Sequence, residues 1–245
     1  MNILRFVLYK KKMIAIIAAM ENEIVYLKEK IADMKEQLIN QTRFFIGKLA
    51  EKEVVLVKCG IGKVMSAVTT TLLIEHFHPD MIINVGVAGG MKSDASVLDL
   101  VISRYISYYD VDITSFGDLA YGQMANMPAY FQADKSLVDI AMIVAAEAKL
   151  NHHLGDILSG DSFVTNAEYM GKIVKDHFSH FNVVAVDMES ASIAQVAYVL
   201  NIPFIIIRAL SDKIGEHSQS MTYNDFVDLA AKNASILVEE VLKKI

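Results

Sequence analysis

Three carboxylates could do chemistry together, because each follows closely on an apolar run: Glu23 after residues 13–20, Glu189 after 183–186 and Asp212 after 203–210. In an alternating β/α chain a ligand sits just beyond the carboxyl ends of the strands. If the three runs are neighbouring strands pointing the same way, the acids share one crevice. A cluster of carboxylates with no basic cluster beside it suits stabilising a cationic transition state, activating water and protonating a leaving group. Cleavage of a glycosidic bond asks for that set. The competing reading is three ordinary acids at helix starts, where the helix dipole stabilises an anion.

The elements that must position these acids can be read from periodicity. The stretch 183–190 passes from four strand-favouring apolar residues into Asp187 and Glu189, and a helix pattern follows over 190–200. Residues 13–20 read as a buried strand. Ile24, Leu27, Ile31 and Leu38 then recur at helical spacing, which predicts one amphipathic helix from Glu21 to Gln37. Two short strands at 44–46 and 54–58, a helix to His76 and a buried strand at 80–86 come next. Gly86, Gly89 and Gly90 at the end of that strand let backbone approach a ligand or another strand. Residues 99–109 read as a strand, 111–128 as an ordered aromatic-rich loop, 137–150 as a helix, 156–162 as a short strand and 167–178 as a helix. The run 203–210 lacks alternation and reads as a fully buried strand, and 226–241 mark one face of a C-terminal helix. The pattern is α/β: a three-layer α/β/α sandwich around a mixed, mostly parallel twisted sheet.

Composition narrows the function. With 53% hydrophobic residues, 3 prolines and no linker-like tract, residues 13–245 are expected to form a single domain. A net charge of −6 offers no basic field, so nucleic acid is not an expected partner. The single cysteine, Cys59, excludes an internal disulfide and reads as a small core residue. Lys10–Lys12 followed by apolar residues 13–20 mimics a signal peptide, but the run is too short to span a bilayer and leads into acids. Residues 1–12 are read as an extension or an upstream start, and the protein as cytoplasmic with no membrane segment. The Gly60–Lys63 stretch fails both nucleotide motifs, since Val57 and Val64 break the P-loop pattern and Met65 takes the place of a third glycine. His76 with His78, and His152 with His153 in a polar connection, lack partners at metal-ligand spacing, so no metal is expected.

Seven segments in order carry a resemblance: 19–23 (AMENE), 60–64 (GIGKV), 84–90 (NVGVAGG), 110–117 (DVDITSFG), 159–164 (SGDSFV), 186–189 (VDME) and 208–212 (RALSD). Together they resemble the motifs of bacterial 5′-methylthioadenosine/S-adenosylhomocysteine nucleosidases, from residue 13 to the C-terminus. The resemblance implies a nucleoside phosphorylase-like fold, a homodimer, no cofactor and hydrolysis of an N-ribosidic bond to release adenine. It implies that Glu23 activates water and that Asp212, oriented by Ser211, protonates adenine N7. Glu189 would hold the ribose hydroxyls and Met188 would pack on the sugar. Phe163 would stack on the purine, while the backbone at Val164 reads its edge. Arg208 would set the water side, Tyr223 would lie near the 5′ group, and Ile61, Val87, Ala88 and Gly89 would complete the pocket. Ile113 and Phe116 would reach over from the partner subunit.

The same superfamily contains phosphorylases, which place cationic side chains and hydroxyls around phosphate. Here Glu23, Asn84 and Val87 stand at those places, and a carboxylate there favours water. Three residues depart from the usual pattern: Val87 for Ser, Asp187 for Glu and Tyr109 for His. Substrates expected are methylthioadenosine, S-adenosylhomocysteine and 5′-deoxyadenosine. The alternatives are a futalosine-type hydrolase, a phosphate-dependent phosphorylase and a non-catalytic nucleoside-binding protein.

Overall fold

The computed structural model describes residues 12–216 and 219–245; apart from Lys12, the expected N-terminal extension lies outside them. Strand β1 (Met13–Ala18) is followed by helix α1 (Glu21–Lys28) and the antiparallel run β2 (Ala32–Ile39), β3 (Thr42–Leu49) and β4 (Lys52–Lys58). Helix α2 (Lys63–Phe77) leads to β5 (Met81–Gly90) and β6 (Leu100–Tyr108). After a loop holding a 3-10 turn at Thr114–Phe116 come β7 (Phe131–Gln132), α3 (Lys135–Glu147), β8 (His152–Ser159) and α4 (Ala167–His177). The chain ends with β9 (Val183–Asp187), α5 (Ser190–Val199), β10 (Phe204–Lys213) and α6 (Gln219–Lys244).

All ten strands join one mixed sheet. Its centre is β5, which is flanked by β1 and β10 running parallel to it. From β10 the sheet continues through β6, β8 and β9, and β9 returns to pair antiparallel with β5 at Gly89 and Gly90. The sheet therefore closes on itself around β5, while β1, β4, β3 and β2 extend from it. Helices α1, α3 and α6 pack together, with α6 against β5 and β10; α2 packs on α5. Strand β1, the apolar centre of β4 (residues 54–57) and the first half of β10 are buried along nearly their whole length, as strands covered on both faces must be.

The helix expected over 21–37 stops at Lys28, and its second half is strand β2. Asn40 and Gln41, with φ of 45° and 68°, form the two-residue turn that folds β2 back on β3. Seven residues of β2 are exposed, so no burial alternation marked it, and Leu38, 64% exposed, belongs to no helical stripe. Strand pairing overrode a weak helical periodicity. His152 and His153 likewise lie in β8 rather than in a connection, and His153 pairs with Asp99 at 2.9 Å.

Candidate active site

The carboxylates do converge, although not from strands all pointing one way. β1 and β10 deliver Glu23 and Asp212 in the direction of β5, whereas β9 runs against β5 and brings Asp187 to Glu189 back along it. Closure of the sheet creates this meeting. The resulting cavity is lined by Glu23, Glu189, Asp212 and Ser211, by Val87, Ala88 and Gly89 of β5, and by Ile61, Phe163, Val164, Met188 and Tyr223. Ala19, Met20, Ser162, Val186, Asp187 and Ile214 also line it and were not foreseen as pocket residues. Arg208 lies behind the cavity wall. Ile113 and Phe116 sit away from it on the loop around the 3-10 turn, where Phe116 is 84% exposed.

Glu23 lies both at a helix start and in the cavity lining. As the third residue of α1 it folds back, and its Oε2 accepts the N–H groups of Met20 and Ala19, each at 2.8 Å. Its Oε1 accepts the Val87 N–H of β5 at 2.9 Å. A carboxylate offers about four acceptor positions, so about one is left for a ligand. Burial raises its pKa, against the pull of Arg208 and the three N–H groups. The helix start favours the anion, as expected, but burial outweighs it and makes Glu23 a stronger base than an exposed glutamate. Gly86 allows the approach: a Cβ there would stand 2.5 Å from Glu23 Oε1.

Arg208, 2% exposed, is not at the end of its strand but inside the sheet. Its Nε donates to Asp187 Oδ2 at 2.8 Å, and its Nη2 donates to Asn84 Oδ1 at 2.7 Å and to Ser190 Oγ at 3.0 Å. Asp187 accepts further hydrogen bonds from the hydroxyls of Ser159 and Ser190. A buried ion pair is tolerable when its remaining polar atoms find partners, which most of them do here. Arg208 Nη1, turned toward Gly86, has no hydrogen-bond partner among the described residues. These partners come from four elements, so only sheet register, not sequence spacing, reveals them.

Glu189 Oε1 accepts the Gly62 N–H at 2.8 Å. Burial and then the neighbouring Asp187 carboxylate push its pKa up to about 7, with Arg208 and Gly62 opposing. On β10 a register shift between Leu210 and Asp212 makes Ser211 a bulge residue. A bulge breaks the strand's strict alternation, and Ser211 Oγ donates to Asp212 Oδ1 at 2.7 Å from the adjacent position. Tyr223 faces Phe163 edge-on at 5.5 Å, and its hydroxyl reaches Met20 Sδ at 3.5 Å. Cys59 is a core thiol whose pKa burial pushes up, which suits packing rather than nucleophilic attack.

The phosphorylase superfamily model matches residues 13–243. A relative from Oceanobacillus iheyensis described as 5′-methylthioadenosine/S-adenosylhomocysteine nucleosidase is 45% identical, over 95% of this chain and 99% of its own. The chain belongs to this nucleosidase family. The crystal structure of the Neisseria meningitidis nucleosidase in complex with methylthio-immucillin-A superposes with a TM-score of 0.91 at 38% identity, covering 96% of this chain and 100% of that one. Futalosine hydrolase of Helicobacter pylori is more distant, with a TM-score of 0.88 at 29% identity over 96% and 98% of the two chains. Within the nucleosidase family the departures of this chain now have places. Val87 donates its backbone N–H to Glu23, Asp187 accepts from Arg208, and buried Tyr109 donates its hydroxyl to the Ser162 carbonyl at 3.0 Å.

Proposed function

We propose that this chain hydrolyses the N-ribosidic bond of 5′-methylthioadenosine and S-adenosylhomocysteine, releasing adenine and the 5′-substituted ribose. The observation that carries hydrolysis over phosphorolysis is the set of N–H donors at Ala19, Met20 and Val87, all taken by the Glu23 carboxylate. Phosphate needs such donors and is repelled by a carboxylate in their midst. Water is not.

As C1′–N9 stretches, the ribose gains oxocarbenium character and adenine leaves well only when protonated. Asp212 gives its proton to N7, and Ser211 holds the Oδ1 side so that Oδ2 can carry that proton. Water adds to C1′ and loses a proton to Glu23. The net transfer between the two acids is reset through solvent. Glu189 accepts from the ribose hydroxyls, Met188 packs on the sugar, and Phe163 with the Val164 backbone receives the purine. Ile61, Ala88 and Gly89 wall the sugar side, Tyr223 stands near the 5′ group, and Arg208 steadies the water side through Asp187 and Asn84. A second copy of the chain brings Ile113 and Phe116 over the 5′ substituent, making a cytoplasmic homodimer. Among the described residues no helix is long and apolar enough to cross a membrane.

The deciding measurement is adenine release from methylthioadenosine, S-adenosylhomocysteine and futalosine in phosphate-free buffer. Turnover of the two thioethers without phosphate is expected. A strict requirement for phosphate would make the chain a phosphorylase, and preference for futalosine would move it to the neighbouring hydrolase.

A further inference from the structure

The purine side of the cavity is built on the loop of residues 160–164, in which Asp161, Ser162 and Phe163 are exposed, Phe163 by 50%. Little burial fixes Phe163, so hydrogen bonds must. Tyr109, 1% exposed at the end of β6, donates its hydroxyl to the Ser162 carbonyl at 3.0 Å. Gly160 rests on the same ring: a Cβ there would lie 2.6 Å from Tyr109 Cζ. From the other side Asp161 Oδ1 accepts the Lys63 N–H at 2.7 Å, at the start of α2. The capping residue of that helix, Gly62, has no side chain to do this, so Asp161 caps α2 from a distant loop. The adjacent Gly62 N–H goes to Glu189. Two successive N–H groups at one helix start thus hold the loop and the ribose-side carboxylate in register. Asp110 completes the tether, accepting from the Asp161 N–H at 2.9 Å and from Lys63 Nζ at 2.7 Å.

We propose that Tyr109 and Asp161 are positioning residues for substrate binding, fixing the 160–164 loop so that Phe163 and the Val164 backbone meet the purine. Asp161 is outside the cavity lining and acts through the helix it caps. The inference rests on the reading of the cavity as an adenine-nucleoside site. It adds that Tyr109 is a working substitution: a phenol reaches the Ser162 carbonyl from inside the core.

The test compares wild type with Y109F, D161A, D161N and D161E, by steady-state turnover of methylthioadenosine without phosphate and by calorimetric binding of adenine. Y109F and D161A should each raise KM and the adenine Kd about fivefold, the size of one lost cap or tether, while kcat changes by less than about twofold. D161N, whose Oδ1 still accepts the Lys63 N–H, should stay near wild type. D161E, which keeps the charge but displaces its oxygens, should resemble D161A and carries the comparison if D161A does not fold. Wild-type KM and adenine Kd in both Y109F and D161E overturn the proposal, as does a D161N as impaired as D161E. A wild-type protein that neither binds adenine nor releases it refutes the functional reading instead.

Discussion

Burial and the Asp187 carboxylate hold the Glu189 carboxyl at about 7, so its charge changes where most enzymes work. The ribose hydroxyls need an acceptor, and protonation converts one oxygen of Glu189 into a donor. Glu23 is shifted in the same direction, chiefly by burial, and in the proposed mechanism it must also be ionised to take the proton of water. Both effects have one sign: a raised carboxylate pKa means the charged form is lost at a higher pH than for an exposed carboxylate, and for Glu189 that loss falls in the neutral region. kcat/KM for methylthioadenosine is therefore expected to decline as pH drops below about 7. A pH profile checks this, and a flat response through neutrality would remove Glu189 from the ribose-binding role. Among these residues the acids themselves were legible, because a carboxylate following an apolar run is visible in the sequence. Their environment was not: Arg208, Asn84, Asp187 and Ser190 meet only through strand register.

Strand β5 shows how one element can carry both halves of the site. It gives the Val87 N–H to Glu23, and at Gly86 it leaves the space that the carboxylate fills. Gly86 has no left-handed backbone, so alanine would fit the strand; what it meets is Glu23 Oε1 at 2.5 Å and Arg208 Nη1 at 3.1 Å. Gly86→Ala should thus displace Glu23 and lower kcat about a hundredfold, with a stability loss of about 1–3 kcal/mol from overpacking. Steady-state kinetics beside a thermal melt separate the two effects; near-normal kcat in a folded variant would show that Glu23 acts from some other position. The glycines of β5 were readable as a place of close approach, and the unalternating runs of β1, β9 and β10 as buried strands. Two element-level features escaped. β2 is an exposed edge strand whose residues carry no period-2 signal, and the antiparallel return of β9 depends on closure of the sheet, which no local pattern encodes.

At the scale of the whole molecule the site is open on one side, and the surface beside it is apolar. Ile61 lines the cavity and leads directly into α2, where Val64 is 72% exposed and Met65 and Val68 are also exposed. Val64, Ala67 and Val68 of α2 and Val196 and Val199 of α5 line a broad groove next to it. A contiguous apolar surface of this kind suits association, and in the proposed homodimer a second copy of the chain related by a two-fold axis would bury it. Such a copy has a suitable contribution to make, since its own exposed Phe116 and nearby Ile113 are presented on a loop. Introducing charge at the centre of the patch, with Val64→Asp and Val68→Asp together, should give a monomer by sedimentation. Because Phe116 would no longer cover the 5′ group, KM for methylthioadenosine should rise about tenfold or more, one large apolar contact being worth about that factor, while adenine binding, assigned in the proposed function to Phe163 and Val164, should change less. A wild-type protein that sediments as a monomer at assay concentrations and is fully active would refute the shared site, and unchanged KM in a monomeric variant would confine the partner to a structural role.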